Sequence, residues 1–244
     1  MNLSDYVLYF LEKKKVNNVF TITGGAICFL MDAFSRNKNM KYTTVAHEQA
    51  AAMMADSYSR LGPNFSATMV TSGPGATNLL TGIACSWFDS IPSLHICGQV
   101  NRHELASFGK STKKVRQVGF QETDIVSMSK PITKFAYQLK NENEIRYTLE
   151  KAFYLSQEGR PGPVLIDIPM NLQRKIIDPK KLKSFFAKKK SPKKQKLINQ
   201  INKVLSQFKK SKRPVIIIGG GIRISKTNKA VSYTHLTLPT TPYV

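Results

Sequence analysis

The sequence predicts an α/β fold, a mostly parallel sheet with helices on both faces, followed by the start of a second α/β domain. Two observations carry that expectation. Short apolar or β-branched runs alternate with segments of helical periodicity, joined by brief connections. One late run, Val164–Ile168, is apolar at every position but Asp167 and shows no alternation, as a strand covered on both faces requires. A chain of 244 residues is long enough for one large domain or two small ones with a sizeable core.

Residues 4–15 place Val7, Leu8, Phe10 and Leu11 at helical spacing, with Ser4 as the N-cap candidate. Val19–Ile22 reads as a strand, and Gly24-Gly25 turns the chain into a helix over Ala26–Arg36. Tyr42–Val45 is strand-like, and His47–Leu61 reads as a buried helix stopped by Gly62-Pro63. A strand at Ser66–Thr71 leads through Ser72-Gly73-Pro74-Gly75 into a helix over Ala76–Ser86, and Ser93–Cys97 forms the next strand. Residues 98–120 read as a long basic loop. A short helix near Gln121–Met128, a strand at Thr133–Leu139 and a helix at Glu142–Gln157 follow.

This gives a first domain over residues 1–174, a Lys-rich linker over 175–195 and the truncated beginning of a central domain over 196–230. In that last segment an amphipathic helix, Lys196–Lys210, precedes a buried strand at Pro214–Ile218 and Gly219-Gly220-Gly221. Residues 231–244 are uncharged, biased to Thr and Pro, and aperiodic; they are expected to be a non-native tail resembling a translated adapter.

The formal charge of +22 is unevenly spread. Residues 175–230 carry 18 basic side chains against Asp178 alone, whereas residues 1–174 carry 19 basic and 14 acidic ones. Without interleaved aromatics or Arg-rich readers, the basic segment is a solvated surface, and specific nucleic-acid binding is not expected. Neither a leader nor an apolar run of membrane length stands out, so no membrane partner and a cytoplasmic location are expected. Cys28, Cys85 and Cys97 read as buried thiols, and no metal-ligand spacing is present.

Candidates for chemistry are few. Neither a Walker loop nor a nucleophile elbow occurs. His47-Glu48 opens an Ala-rich helix, setting a carboxylate where it could share a proton with a bound heterocycle. The Gly73-Pro74-Gly75 turn allows close backbone approach to a ligand. In open α/β sheets ligands bind beyond the carboxyl ends of strands, and Gly24-Gly25, His47-Glu48 and Gly73–Gly75 all follow predicted strands. His95, within a strand, reads as a core histidine, and Asp89 as a turn or capping residue.

Taken in order, Gly24-Gly25-Ala26, His47–Ala51, Thr71–Asn78, Asp89–Pro92, Gly98–Val100, Phe120–Glu122, Pro131–Lys134 and Gly159–Pro169 resemble the N-terminal, pyrimidine-binding domain of thiamine-diphosphate-dependent enzymes. The pattern is most similar to the acetolactate synthase large subunit, over roughly residues 1–172. Pro214–Gly221 resembles the start of that family's central domain. The resemblance implies an enzyme that decarboxylates a 2-oxo acid and transfers the two-carbon unit, in branched-chain amino acid biosynthesis. It implies Glu48 as the catalytic residue, hydrogen-bonding the aminopyrimidine ring and promoting the imino tautomer that yields the ylid. Gly24, Gly25, Pro74, Gly75 and Asn78 would join Glu48 in binding the cofactor, with Phe120, Gln121 and Lys134 on the substrate side. It further implies Mg2+ held with the diphosphate by a domain absent from this chain, allows for FAD, and calls for a second subunit in a homodimer or homotetramer.

The sequence also departs from the family. Ile22-Thr23 replaces Tyr-Pro before Gly-Gly, the stretch from Gln99 to Phe120 is longer than usual, and Arg116–Gly119 replaces Gly-Thr-Asp-Ala. The Gly-Asp-Gly…Asn-Asn signature that binds magnesium and diphosphate does not occur, so the chain alone is expected to be inactive. Another thiamine-diphosphate lyase or carboligase with a different substrate, or a non-catalytic homologue acting as a dimerisation module, stay open.

Overall fold

Helix α1 (Leu3–Lys13) begins at Asn2, whose side chain accepts the Asp5 amide at 2.7 Å. Ser4, the expected cap, is instead buried one turn in, its hydroxyl donating to the Gln173 carbonyl at 2.8 Å. The computed structural model describes residues 1–61, 65–108, 115–187 and 194–232. They fall in two units, Met1–Ala187 and Lys188–Val244.

Among its described residues the first unit holds six strands: β1 (Asn18–Thr21), β2 (Lys41–Thr44), β3 (Ser66–Val70), β4 (Ser93–Gln99), β5 (Phe135–Gln138) and β6 (Val164–Pro169). They lie in the order β2-β1-β3-β4-β6-β5, and every pair is parallel. Between them run α2 (Cys28–Arg36), α3 (Glu48–Arg60), α4 (Pro74–Asn78), α5 (Leu80–Phe88), α6 (Ile125–Ser129) and α7 (Ile145–Gln157), with α8 (Met170–Gln173) after β6. The helix expected over Ala76–Ser86 is thus two, and α2 is preceded by a 3-10 turn at Gly25–Ile27. Helix α3 ends at Arg60; the expected stop at Gly62-Pro63 lies outside the described residues.

Side-chain alternation along the strands divides the core. Met69, Leu94, Ile96, Val164, Ile166 and Ile168 pack with α1, α2 and α7 on one face. Val70, Cys97 and Leu165 pack with Ala52, Leu79, Ile83 and Ile125 from the α3, α5 and α6 side. Strands β3, β4 and β6 are buried throughout, and their sequences show no polar-apolar alternation; the polar side chains they carry, among them Thr68, His95 and Asp167, are buried with the rest. Helices α3 and α5 meet at Gly82, where a Cβ would lie 2.4 Å from the Ala52 Cβ. Arg60 ties the same pair together, reaching Asp56 on α3 and Asp89 at the end of α5, both at 2.5 Å.

Residues 175–187, expected to be connector, pack on this unit. Ile177 and Leu182 are buried, Ile177 donates its amide to the Met1 carbonyl, and the Phe185 ring lies against Tyr147 and Tyr154. The thiols differ from the expectation of burial: Cys97 is buried, Cys85 is half-buried and Cys28 is exposed, all three free.

The second unit contains α9 (Lys194–Lys210), α10 (Gly221–Ile224) and α11 (Asn228–Ser232). The expected strand at Pro214–Ile218 is not formed: among the described residues nothing pairs with it, and Val215 and Ile217 are exposed. A strand needs a neighbour to take its backbone hydrogen bonds, and local propensity alone does not supply one. Residues 188–193 and 233–244, covering part of the expected linker and most of the expected tail, lie outside the described residues.

On the α3/α5 side of the sheet, His95 has both ring nitrogens satisfied, by Thr68 Oγ1 at 2.8 Å and Ser93 Oγ at 2.9 Å. Burial lowers its pKa from 6.5 to about 3. Asp167 on β6 is equally buried. Desolvation lifts its pKa from 3.8 to about 7, against the opposing hydrogen bonds from Gln138 and Gln99.

The two groups pull stability in opposite directions. As pH falls from 6.5 towards 3, the unfolded chain takes up a proton that the folded His95 refuses, so stability is lost on acidification. Between 3.8 and about 7 the folded Asp167 keeps a proton that the unfolded chain releases, so stability is lost as pH rises. We predict that the melting temperature of His95→Gln minus that of the parent becomes more positive as pH is lowered from about 7 to about 4, while that of Asp167→Asn minus the parent becomes more negative. Differences independent of pH in thermal melts would contradict this.

Candidate functional site

Strand β1 is flanked by β2 on one side and β3 on the other, so the chain leaves it in both directions and opens a crevice at the carboxyl ends. Three connections meet there: Ile22–Gly25 after β1, Val45–Glu48 after β2, and Thr71–Gly75 after β3. The Val45 amide donates to the Thr21 carbonyl at 3.0 Å, extending the β1–β2 ladder to the edge of the crevice.

Glu48 is the first residue of α3. His47 caps that helix, its Nδ1 accepting the Gln49 amide at 3.1 Å. A carboxylate there complements the positive helix start. Ala51, Ala52 and Ala55 bury the inner face of α3, whereas Met53 and Met54, expected to be buried, are exposed. Glu48 is half-buried, and its Oε2 accepts from Asn78 Nδ2 at 2.8 Å. Among the described residues nothing donates to Oε1.

The glycine turn explains how Asn78 reaches it. Gly73 has φ +62°, in the left-handed region that favours glycine, and Pro74 starts α4 with its ring already at helical φ. One turn of helix then brings Asn78 over the Glu48 carboxylate. Gly75 has no spare room: a Cβ there would lie 2.7 Å from Thr71 Cγ2 and 3.1 Å from Glu48 Oε1. Gly24, from the β1 connection, meets the same threonine, its Cβ position lying 2.4 Å from the Thr71 Cβ. Thr71 Oγ1 accepts the Ala26 amide at 3.2 Å. At Gly25 a Cβ would meet nothing within 4 Å, so the loop borders open space.

The predicted residues therefore divide. Gly24, Gly25, Glu48, Pro74, Gly75 and Asn78 stand around one crevice. Gln121 joins them: at φ +59° it packs its backbone on the glycine turn, so that a Cβ at Gly73 would lie 2.7 Å from the Gln121 Cβ. Phe120 beside it is 83% exposed. Glu122 closes the long loop behind them, accepting the amides of Ala106 at 2.7 Å and Val118 at 2.9 Å; residues 109–114 of that loop lie outside the described residues.

Lys134 is elsewhere. It precedes β5, its amide donates to the Pro163 carbonyl ahead of β6, and its ammonium donates to the Glu158 carbonyl. That is the amino edge of the sheet, opposite the crevice. Desolvation lowers its pKa, with the Glu158 charge acting against it.

Sequence reasoning passed over Thr71 as an individual residue, although a hydroxyl between a strand end and a glycine turn is a recognisable signal. It also passed over Gln173, whose hydrogen bonds to the Ala26 and Ile168 carbonyls leave no local trace. Among the described residues no three His, Cys, Asp or Glu side chains stand together as a metal site. No helix of the described residues is long and apolar enough to cross a membrane.

The crevice suits a heteroaromatic ring that presents a nitrogen to a carboxylate. It offers one carboxylate oxygen with no described partner, a glycine-walled entrance and open space at Gly25. Known proteins agree. The family described as thiamine pyrophosphate enzyme, N-terminal TPP binding domain, matches residues 1–128. The acetolactate synthase large subunit of Buchnera aphidicola (subsp. Acyrthosiphon pisum) is 36% identical over 230 residues, covering 93% of this chain and 38% of that protein. Its counterpart in Lactococcus lactis is 37% identical over 227 residues, covering 91% and 37%. The chloroplastic acetolactate synthase of Arabidopsis thaliana is 33% identical over 223 residues, covering 89% and 31%. The chain thus spans less than two-fifths of the length of these relatives. With its parallel sheet, its crevice and that match over more than half its length, the chain belongs to the thiamine pyrophosphate enzymes, in their N-terminal TPP-binding domain.

Proposed function

We propose that this chain is the pyrimidine-binding part of an acetolactate synthase-like enzyme that decarboxylates a 2-oxo acid and transfers the two-carbon unit to a second carbonyl compound. The observation that carries the proposal is the Glu48 carboxylate, held through Oε2 by Asn78 with Oε1 left to a ligand, at the switch point of a sheet from this family. The names of the relatives supply the reaction class.

Thiamine diphosphate, when bound, supplies the carbon nucleophile and electron sink for decarboxylation. The work of this chain is to seat the pyrimidine and manage its proton. Glu48 Oε1 accepts a proton from the ring nitrogen or returns it, and Asn78 keeps the carboxylate from rotating away. Gly24, Gly25 and Gly75 let backbone approach the ring, and Pro74 with Gln121 borders the same opening. Phe120, exposed beside Gln121, belongs to the substrate side in this reading. Lys134, at the amino edge of the sheet, has no part in this crevice.

The proposal extends to what lies outside the chain. Mg2+ and the diphosphate are held by another domain, supplied by a second subunit of a homodimer or homotetramer, and the reading leaves room for FAD as an additional ligand. The setting is branched-chain amino acid biosynthesis in the cytoplasm, with no specific nucleic-acid partner and no membrane partner.

Two measurements on the complete enzyme test this. Glu48→Gln should slow exchange of the cofactor's C2 proton by about 10²–10⁴-fold, the range of a lost general acid–base group, with cofactor still bound. Near-normal exchange would remove Glu48 from the role. Gly75→Ala should raise the thiamine diphosphate concentration for half-saturation by roughly tenfold or more, because its methyl displaces Thr71 and Glu48. An unchanged value would contradict the packing argument.

A further inference from the structure

The loop that borders the crevice is held by a residue 147 positions away in sequence. Gln173, at the end of α8, is completely buried, and its Nε2 donates to two carbonyls, Ala26 at 2.6 Å and Ile168 at 2.9 Å. Its own backbone is fixed in turn by the buried Ser4 hydroxyl, at 2.8 Å to the Gln173 carbonyl. The other end of the Ala26 residue is held as well, its amide donating to Thr71 Oγ1 at 3.2 Å.

The surroundings explain why a side-chain donor is needed. The Ala26 carbonyl presses against β4, so that a Cβ at Gly98 would lie 2.1 Å from its oxygen. Ala26 is buried, and a buried carbonyl without a donor is costly. Gln173 also leaves its Oε1 buried without a partner among the described residues. An apolar side chain of the same shape would avoid that penalty. What only the amide supplies is a pair of donors joining the loop after β1 to the end of β6. Two carbonyl acceptors also fix which way the amide points, since a flipped amide would set oxygen against oxygen.

We propose that Gln173 is a positioning residue for the candidate cofactor site: with Thr71 it clamps Ala26 at both its amide and its carbonyl, and so fixes the Gly24-Gly25 loop beside the Glu48 crevice. Thr71 couples the clamp to the site directly, because the side chain that accepts from Ala26 also fills the space between Gly24 and Gly75. The proposal rests on the thiamine diphosphate reading for its functional consequence, and on geometry alone for the clamp.

The test separates the two. Amide hydrogen exchange is measured at Ala26, Ile27 and Cys28 in the cofactor-free complete protein, for the parent and for Gln173→Met, which keeps the volume and removes both donors. Loss of a buried hydrogen bond should speed exchange at these three amides by roughly tenfold or more, with β4 and α7 amides unchanged. The half-saturating concentration of thiamine diphosphate should rise with it, while KM for the 2-oxo acid stays within about twofold. Thr71→Val reads the same clamp from the amide end and should also speed exchange at Ala26, which covers the case of poor folding in Gln173→Met. Exchange that rises everywhere or nowhere in both variants overturns the clamp. Faster loop exchange with unaltered cofactor saturation overturns the positioning role. If Glu48→Gln exchanges the cofactor proton normally while the loop amides respond as described, the cofactor reading fails and the clamp stands.

Discussion

The site depends on the space around one side chain. Thr71 stands where the loop after β1 and the turn after β3 converge, in volume that a Cβ at Gly24 or Gly75 would claim. Glu48 reaches the same place from the helix after β2, and Asn78 locks it there. Three loops converge on one side chain, so a single methyl group added at either glycine must move the threonine, the carboxylate or the backbone. Interiors packed at crystal-like density transmit such shifts rather than absorb them. The parallel sheet matters chiefly because it delivers three strand ends to that point.

Much of the fold was legible in the sequence because the signals are local. Strand and helix periodicity located all six strands of the first unit within a few residues, and the glycine turns marked the connections. Glu48, the glycines and Asn78 were legible through their order along the chain. What escaped was set by distant partners. Ser4 and Asn2 are both reasonable caps, and the choice falls to Asn2 because the Ser4 hydroxyl is bound to a carbonyl 169 residues away. Gln173 has no local signature because its function lies in the Ala26 carbonyl. Residues 214–218 have every property of a buried strand except a neighbour to pair with. Lys134 was grouped with Gln121 by motif order, yet the parallel sheet puts the start of β5 at the edge away from Gln121. Cys28 sits in an apolar stretch, but its position on α2 turns it outward.

In the proposed reading the chain supplies a carboxylate for the ring and a glycine-lined entrance. The relatives matched here are more than twice as long. Most of the basic excess falls beyond residue 174, in segments whose lysines are exposed wherever they are described. Charge therefore tells little about what the crevice binds; carboxylate geometry and glycine spacing tell more.

The most direct measurement is a thiamine diphosphate-bound structure of the complete protein. The account requires Glu48 Oε1 to lie at hydrogen-bonding distance, about 2.6–3.2 Å, from a pyrimidine ring nitrogen, with Asn78 still on Oε2. A ring bound with its nitrogen turned to solvent or to another residue, and Glu48 out of contact, would contradict it.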